Sequence, residues 1–317
     1  MDRVEPRPLP GVASGRTLVM GVVNVTPDSF SDGGQWFEPD AAVAHGLQLL
    51  ADGADLLDVG GESTRPGAAR VSTEDELARV LPVVSALAAR GAVVSVDTTR
   101  AVVAERAVAA GARVVNDVSG GLADPDMARV VADAGVVYVA MHWRGHATEM
   151  DALAAYTDVV RDVRDELAAR LDALVAAGVA LEQVVLDPGL GFAKPGADNW
   201  PLLAHLDVLG ALGRPVLVGA SRKRFLGHLL AGPSGEPVPP LARDAATAAV
   251  TTLCAAAGAW CVRVHDVRSS ADAVRVVARW DEDVRGSRTG RREPLPGGPQ
   301  DDQPTDGSVS VAEGRRP

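Results

Sequence analysis

Eight short apolar runs recur along the chain, and each is followed by a stretch whose apolar residues fall at helical spacing. The runs are Leu18–Val23, Asp55–Gly61, Ala92–Val96, Arg113–Val115, Val136–Met141, Gln183–Leu186, Val216–Val218 and Ala259–Val264. Between and after them lie helical patterns over Pro39–Asp52, about Ser72 to Arg90, Thr99 or Arg100 to Gly111, Pro125–Ala134 and Ala152–Ala177. A short helix around Asn199–Leu203, then Lys223–Leu230, Arg243–Ala257 and Ser270–Trp280, complete the series. Ser72 or Thr73 is expected to cap the second helix, with Glu76 in capping-box range. Strands and helices that alternate this regularly build a parallel sheet, and eight units fit one closed (β/α)8 TIM barrel. A doubly wound open sheet is the alternative, but no GxGxxG segment opens a first helix. The expected organisation is a loose arm over residues 1–15, the barrel over 16–281, and a disordered tail over 282–317, rich in Gly, Pro, Asp and Arg.

The 317 residues are 47% hydrophobic, which permits a large core, and only 3% are aromatic. Val and Ala carry the apolar character, as expected of buried parallel strands under Ala-rich helices. No apolar run reaches the roughly 20 residues that span a bilayer, and the N-terminal segment has no apolar centre. Cytoplasmic is the default location, with no membrane partner. A net charge of −11 disfavours a nucleic-acid surface. The two cysteines, Cys254 and Cys261, form no CxxC pair and are read as buried filler.

In a barrel, residues at the C-terminal ends of the strands converge on one mouth. Here they are Asn24, then Glu62, Thr64 and Arg65, then Asp97, Asn116, Asp117, His142, Asp187, Ser221, Lys223, Arg263 and His265. Asn24 opens a polar loop, TPDSFSDGG, and that segment alone suits an active-site entrance or a plain turn equally well. Any of the Asp, Asn or Ser residues could cap a helix, and for Asp117 and Asp266 that reading leads. Asp97 and Asp187 follow apolar runs that bring them near the barrel axis, where a carboxylate needs donors. With the Asn116 amide they suit a planar heterocycle carrying several N–H groups on one edge. Lys223, Arg263 and His265, with Asn24, suit an anion such as phosphate.

Seven segments resemble, in order, the signature blocks of the dihydropteroate synthase family. They are Met20–Gly34, Asp58–Gly67 (DVGGESTRPG), Val94–Thr98 (VSVDT), Asn116–Gly121 (NDVSGG), Asp187–Lys194 (DPGLGFAK), Val218–Lys223 (VGASRK) and Arg263–Val267 (RVHDV). The resemblance implies a transferase of folate biosynthesis and a sulfonamide target. Its reaction joins (7,8-dihydropterin-6-yl)methyl diphosphate to 4-aminobenzoate, giving 7,8-dihydropteroate and pyrophosphate. It implies that Asp97, Asn116 and Asp187 hold the pterin edge, with Met141, Phe192, Gly219 and Lys223 lining that end. Asn24 would bind Mg²⁺ bridging to the diphosphate, which Thr64, Arg263 and His265 would also meet. Phe30, Thr64, Arg65, Pro66, Phe192, Lys223 and Arg224 would serve the aminobenzoate site and the two loops closing over it. Asp97, Lys223, Arg263 and His265 are the catalytic group so implied. A homodimer through helices near the C-terminus is also implied.

Arg224 stands where the family often has a serine, and it could itself meet the aminobenzoate carboxylate. His142 is read as a supporting group or a cap ahead of a catalyst, and Thr99-Arg100 as peripheral. Two other readings stand beside this one. A catalytically silent pterin-binding paralogue would have lost turnover, yet the first loop and its cationic partners are intact. A pterin-binding methyl-transfer domain would not need the cationic cluster.

Overall fold

In the computed structural model the described residues are 5–12, 15–26, 39–62, 70–145 and 153–289, with side chains to 284. The strands are β1 (Leu18–Asn24), β2 (Leu56–Gly60), β3 (Val94–Asp97), β4 (Val114–Asp117), β5 (Val137–Met141), β6 (Val184–Asp187), β7 (Leu217–Val218) and β8 (Cys261–Val264). They form one parallel sheet in the order β6-β5-β4-β3-β2-β1-β8-β7. A parallel bridge from Leu186 to Val216 joins β6 to the start of β7 and closes the ring. The helices are α1 (Pro39–Ala51), α2 (Thr73–Ala88), α3 (Ala101–Ala109), α4 (Met127–Ala134), α5 (Val159–Ala176), α6 (Asn199–Ala204), α7 (Leu206–Gly210), α8 (Arg224–Leu229), α9 (Asp244–Ala256) and α10 (Val267–Thr289). The chain divides into units Met1–Ala278 and Arg279–Pro317. The barrel lies in the first; in the second, the end of α10 carries the ion pairs Arg279–Glu282 and Arg279–Asp283.

Strand side chains alternate between two cores, as the two-residue period of a strand requires. Val19, Leu57, Val94, Val115, Tyr138, Leu186 and Val262 face outward into the layer shared with the helices. Leu18, Met20, Leu56, Val114, Val137, Val185, Leu217 and Cys261 face inward and, with Trp260, fill the lower barrel. Trp260 is 1% exposed, so truncating it to alanine should remove about 3–5 kcal/mol of stability.

Residues 5–12 are not the loose arm expected. Leu9 and Val12 pack against the inner core, and Arg7 donates to the Gly135 carbonyl at 2.7 Å and to Glu182 at 3.0 Å. An apolar barrel floor open to water would be costly, and this segment covers it. Helix α5 begins at Val159 rather than Ala152, because the Asp158 carboxylate accepts from Val160 and Arg161 N–H and caps it there. Helix α10 starts three residues earlier than expected and runs on to Thr289. Ser72 does cap α2, accepting from Asp75 N–H. Glu76 closes no capping box: it is buried and accepts from the Thr98 hydroxyl at 2.6 Å. Both cysteines are free and buried.

Candidate active site

The inward face that is apolar low in the barrel turns polar at its mouth. Two residues beyond Leu56 stands Asp58, beyond Ser95 Asp97, beyond Val114 Asn116, beyond Val185 Asp187, and beyond Cys261 Arg263. Period-two geometry therefore aims all five into one space. The register supports this, pairing Gly60 with Asp97, Asp97 with Asn116, and Met141 with Asp187. The strands include these polar residues rather than stopping short of them.

Arg263 organises the acidic side. Its Nε donates to Asp58 Oδ2 at 2.6 Å and its Nη2 to Asp97 Oδ2 at 2.9 Å. Asn116 Nδ2 donates to the same Asp58 oxygen at 2.9 Å, which leaves the amide oxygen as an acceptor. Burial is the main influence on Asp97 and raises its pKa; Arg263 pulls it down, Asp58, Glu76 and Asp117 push it up, and it ends at about 7. Asp187 Oδ1 accepts from Gly189 N–H at 2.7 Å, and burial raises this carboxyl too. Its Oδ2 lies 3.9 Å from where a side chain at Gly219 would begin, which places Gly219 beside this carboxylate.

Across from the acids, the Lys223 ammonium sits 4.0 Å over the Phe192 ring. Burial lowers its pKa to about 8 against the attraction of Asp187. The strand-end loop that carries it is fixed by Arg222, whose φ is +58°. Arg222 grips Asp244 through Nε at 2.7 Å and Nη2 at 2.8 Å. Ser221 Oγ lies 3.0 Å from His265 Nδ1 and accepts from the His265 backbone N–H, which ties β7's loop to β8's. Asn24 ends β1, half-buried, beside Gly60. Met141 is buried beneath Gly189.

The structure brings Asp97, Asn116, Asp187, Lys223, Arg263, Phe192 and Gly219 together, with Asn24, Met141 and His265 on the same strand ends. Arg224 is exposed at the start of α8. Phe30, Thr64, Arg65 and Pro66 lie outside the described residues. Asp117 takes the local role: its carboxylate accepts from Ser119 N–H and Oγ, Gly121 N–H and the Tyr138 hydroxyl, all within 2.8 Å. Asp266 accepts weakly from Ser269 N–H at 3.4 Å near the start of α10. Arg100 is not peripheral, because it joins Glu76, Glu62 at 2.9 Å and the Val71 carbonyl at 2.6 Å, pinning the described ends of the loop after β2. Asp58 is the residue sequence reasoning missed. A charged residue two places beyond an inward leucine was the available signal.

The fold and this pocket define a (β/α)8 barrel with a polar cleft, acidic on one side and cationic on the other, at the C-terminal ends of its strands. Residues 20–265 match the family described as pterin binding enzyme, and the chain belongs to that family. Among the proteins it resembles are several dihydropteroate synthases. The one from Mycobacterium leprae is 58% identical over 263 residues, covering 83% of this chain and 93% of the relative. The Xanthomonas albilineans dihydropteroate synthase structure with 4-aminobenzoic acid is 47% identical, with a TM-score of 0.77, covering 85% of this chain and 93% of that one. The Yersinia pestis dihydropteroate synthase structure with a sulfonamide drug complex is 40% identical, with a TM-score of 0.80, covering 88% and 99%.

Proposed function

We propose that this chain catalyses dihydropteroate synthesis. It joins (7,8-dihydropterin-6-yl)methyl diphosphate to 4-aminobenzoate and releases pyrophosphate. The observation that carries this reading is the meeting of Asp97, Asn116 and Asp187 with Lys223 in one pocket of a pterin-binding barrel. Carboxylate and amide oxygens accept from the pterin's N–H edge, and Lys223 donates from the opposite side. Departure of the diphosphate breaks the C–O bond early, because the pterin ring delocalises positive charge onto its methylene. The Asp97 carboxylate lies where fixed negative charge favours that cation. The arylamine then attacks the methylene, forming the C–N bond and losing one proton, so no strong base is needed. Arg263 and His265 face the leaving diphosphate in this scheme. Two of Arg263's three nitrogens already hold Asp58 and Asp97, so it also sets the acid that faces the cation.

Mg²⁺ fits the residues present in one way. No group of three His, Cys, Asp or Glu side chains that could hold an ion occurs among the described residues. Asn24 offers one amide oxygen at the rim, and Mg²⁺ commonly takes one or two protein oxygens and completes its shell with phosphate and water. Bound there, it would neutralise charge growing on the leaving diphosphate. Chelation with EDTA is expected to abolish turnover and added Mg²⁺ to restore it.

The likeness to the sulfonamide-bound relative supports sensitivity to such drugs. Exposed Leu253 on α9 and Val276 on α10 support a homodimer through the last helices, which light scattering would detect. No described helix is long and apolar enough to cross a membrane. The central test is a coupled pyrophosphate assay with dihydropterin diphosphate, with and without 4-aminobenzoate and a sulfonamide. Release that depends on 4-aminobenzoate and falls with the drug is expected. A chain that releases no pyrophosphate overturns the reading.

A further inference from the structure

Behind the pocket lies a second buried polar cluster that the proposed reaction does not use. Lys194 ends the loop that follows β6 and is 7% exposed. Its Nζ donates to the Gly189 carbonyl at 3.0 Å and to the Phe192 carbonyl at 3.0 Å, and it meets His142 Nδ1 at 3.0 Å. An ammonium has three N–H groups, so all three are engaged. This requires a lone pair on His142 Nδ1, and therefore its proton on Nε2, which lies 2.9 Å from Glu166 Oε2. Glu166 is held in turn by Arg144, whose Nε donates at 3.1 Å and whose Nη2 meets Oε1. The Arg144 guanidinium rests 3.9 Å over the Tyr156 ring, and the Tyr156 hydroxyl donates to the Ala193 carbonyl at 2.9 Å. The chain of contacts thus returns to the loop it left.

Carboxylate, neutral imidazole and ammonium alternate along this line, and each needs its neighbour's state. Burial lowers His142 to about 4 and keeps it neutral, against its hydrogen bond to Glu166 and with Lys194 and Arg144 adding to the shift. The carbonyls that Lys194 holds belong to residues that shape the pocket. Gly189 N–H fixes the Asp187 carboxylate at 2.7 Å, Phe192 N–H donates to the Gly189 carbonyl at 3.0 Å, and the Phe192 ring supports Lys223.

We propose that Lys194, backed by His142 and Glu166, is a positioning residue for the pterin end of the pocket: it holds the Gly189 and Phe192 carbonyls and so fixes the Asp187 carboxylate and the Phe192 ring without touching substrate. The assignment rests on the dihydropteroate synthase reading. Sequence alone leaves Lys194 as the last letter of a motif.

Steady-state kinetics of wild type, Lys194→Met and Glu166→Gln, with both substrates varied, test it. Lys194→Met is expected to raise the KM for dihydropterin diphosphate about tenfold, as for withdrawal of a charge-assisted hydrogen bond, while the KM for 4-aminobenzoate changes less than about twofold. Proton NMR of His142, which faces Lys194, Glu166, Arg144 and Tyr156, should show its titration move up from about 4 in that variant, while burial still holds it below the ordinary imidazole range. Glu166→Gln alters the half-exposed end of the line and should move the same KM the same way by a smaller factor. A wild type without turnover overturns the functional reading and this one with it. An active wild type whose Lys194→Met variant keeps both KM values overturns the positioning role alone. Should that variant not fold, a Glu166→Gln enzyme with unchanged KM for the pterin substrate does the same.

Discussion

Lys194 and Lys223 are both carried by strand-end loops that contain a non-glycine residue at positive φ, Ala193 at +47° and Arg222 at +58°. Burial lowers the pKa of both, to about 7 and about 8. Their ammonium groups differ in what surrounds them. Lys194 has an acceptor for each N–H, two of them carbonyls of its own loop. Among the described residues Lys223 has an aromatic ring beneath it and carboxylates within electrostatic reach, but no hydrogen-bond acceptor on its Nζ. Lys223 is half-buried, and a charge partly withdrawn from water whose donors are left to a ligand does little to stabilise the free protein. One whose donors are satisfied helps to hold the fold. Burial and pKa alone do not separate a structural lysine from a functional one; the count of satisfied donors does.

The largest effect expected from this contrast is at Lys223. Lys223→Met should lower kcat/KM for the pterin substrate by about a thousandfold, in the range seen when a charge-stabilising donor is removed. It should leave the melting temperature unchanged or slightly raised, since a half-buried charge with no hydrogen-bond acceptor among the described residues has gone. A variant that loses stability in proportion to activity would erase the distinction between the two lysines. Gly189→Ala attacks the other loop through its backbone. Gly189 has φ +68°, and an added Cβ would lie 2.5 Å from the His142 carbonyl oxygen. Strain of about 1–3 kcal/mol is expected, with the Asp187 carboxylate carried off its hydrogen bond and kcat/KM reduced about a hundredfold. Thermal melts with kinetics on the same preparation check both parts.

The barrel was legible because its signals are local and repeated. Apolar runs such as Val136–Met141, alternating with helical spacing, need no tertiary information to be read, and the strand ends then nominate Asp97, Asn116, Asp187 and Arg263. What escaped depends on contacts between distant residues. Asp58 was hidden inside a strand, although it stands two residues from inward Leu56, and its partner Arg263 lies 205 positions away. His142, Glu166 and Lys194 come from three different elements, and no spacing joins them. The floor formed by Leu9 and Val12 was misread because composition marked residues 1–15 as loose. Composition does not report what a few apolar side chains can cover.

A smaller effect separates the two ends of the pocket by pH. Asp97 offers the pterin edge two acceptor oxygens and a fixed negative charge only when ionised, and its raised pKa of about 7 places that change within the working range. For an acid, the ionised fraction is lost as pH falls through the pKa. Between about pH 8 and pH 6, kcat/KM for dihydropterin diphosphate should therefore drop about tenfold. Asp97→Asn should be slower throughout and nearly flat over the same interval. A wild-type profile equally flat would show that Arg263 holds Asp97 ionised, so the ion pair at 2.9 Å would dominate over burial.

The smallest effect is expected one residue beyond Lys223. Arg224 opens α8 with its side chain exposed, so its charge is largely screened by solvent, whereas Lys223 faces Asp187 and Asp97 in the interior. If Arg224 meets the aminobenzoate carboxylate, as its place in the sequence suggests, the contact is a rim interaction between exposed charges. Such contacts contribute about 0.2–1 kcal/mol, which corresponds to less than about a sixfold change. Arg224→Ala should accordingly raise the KM for 4-aminobenzoate about threefold at low salt, and less at high salt, while leaving the pterin KM and the melting temperature unaltered. A loss approaching that of Lys223→Met would mean that Arg224 turns inward when substrate is bound. The division between an interior cation that acts and a surface cation that assists would then fall after Arg224 rather than before it.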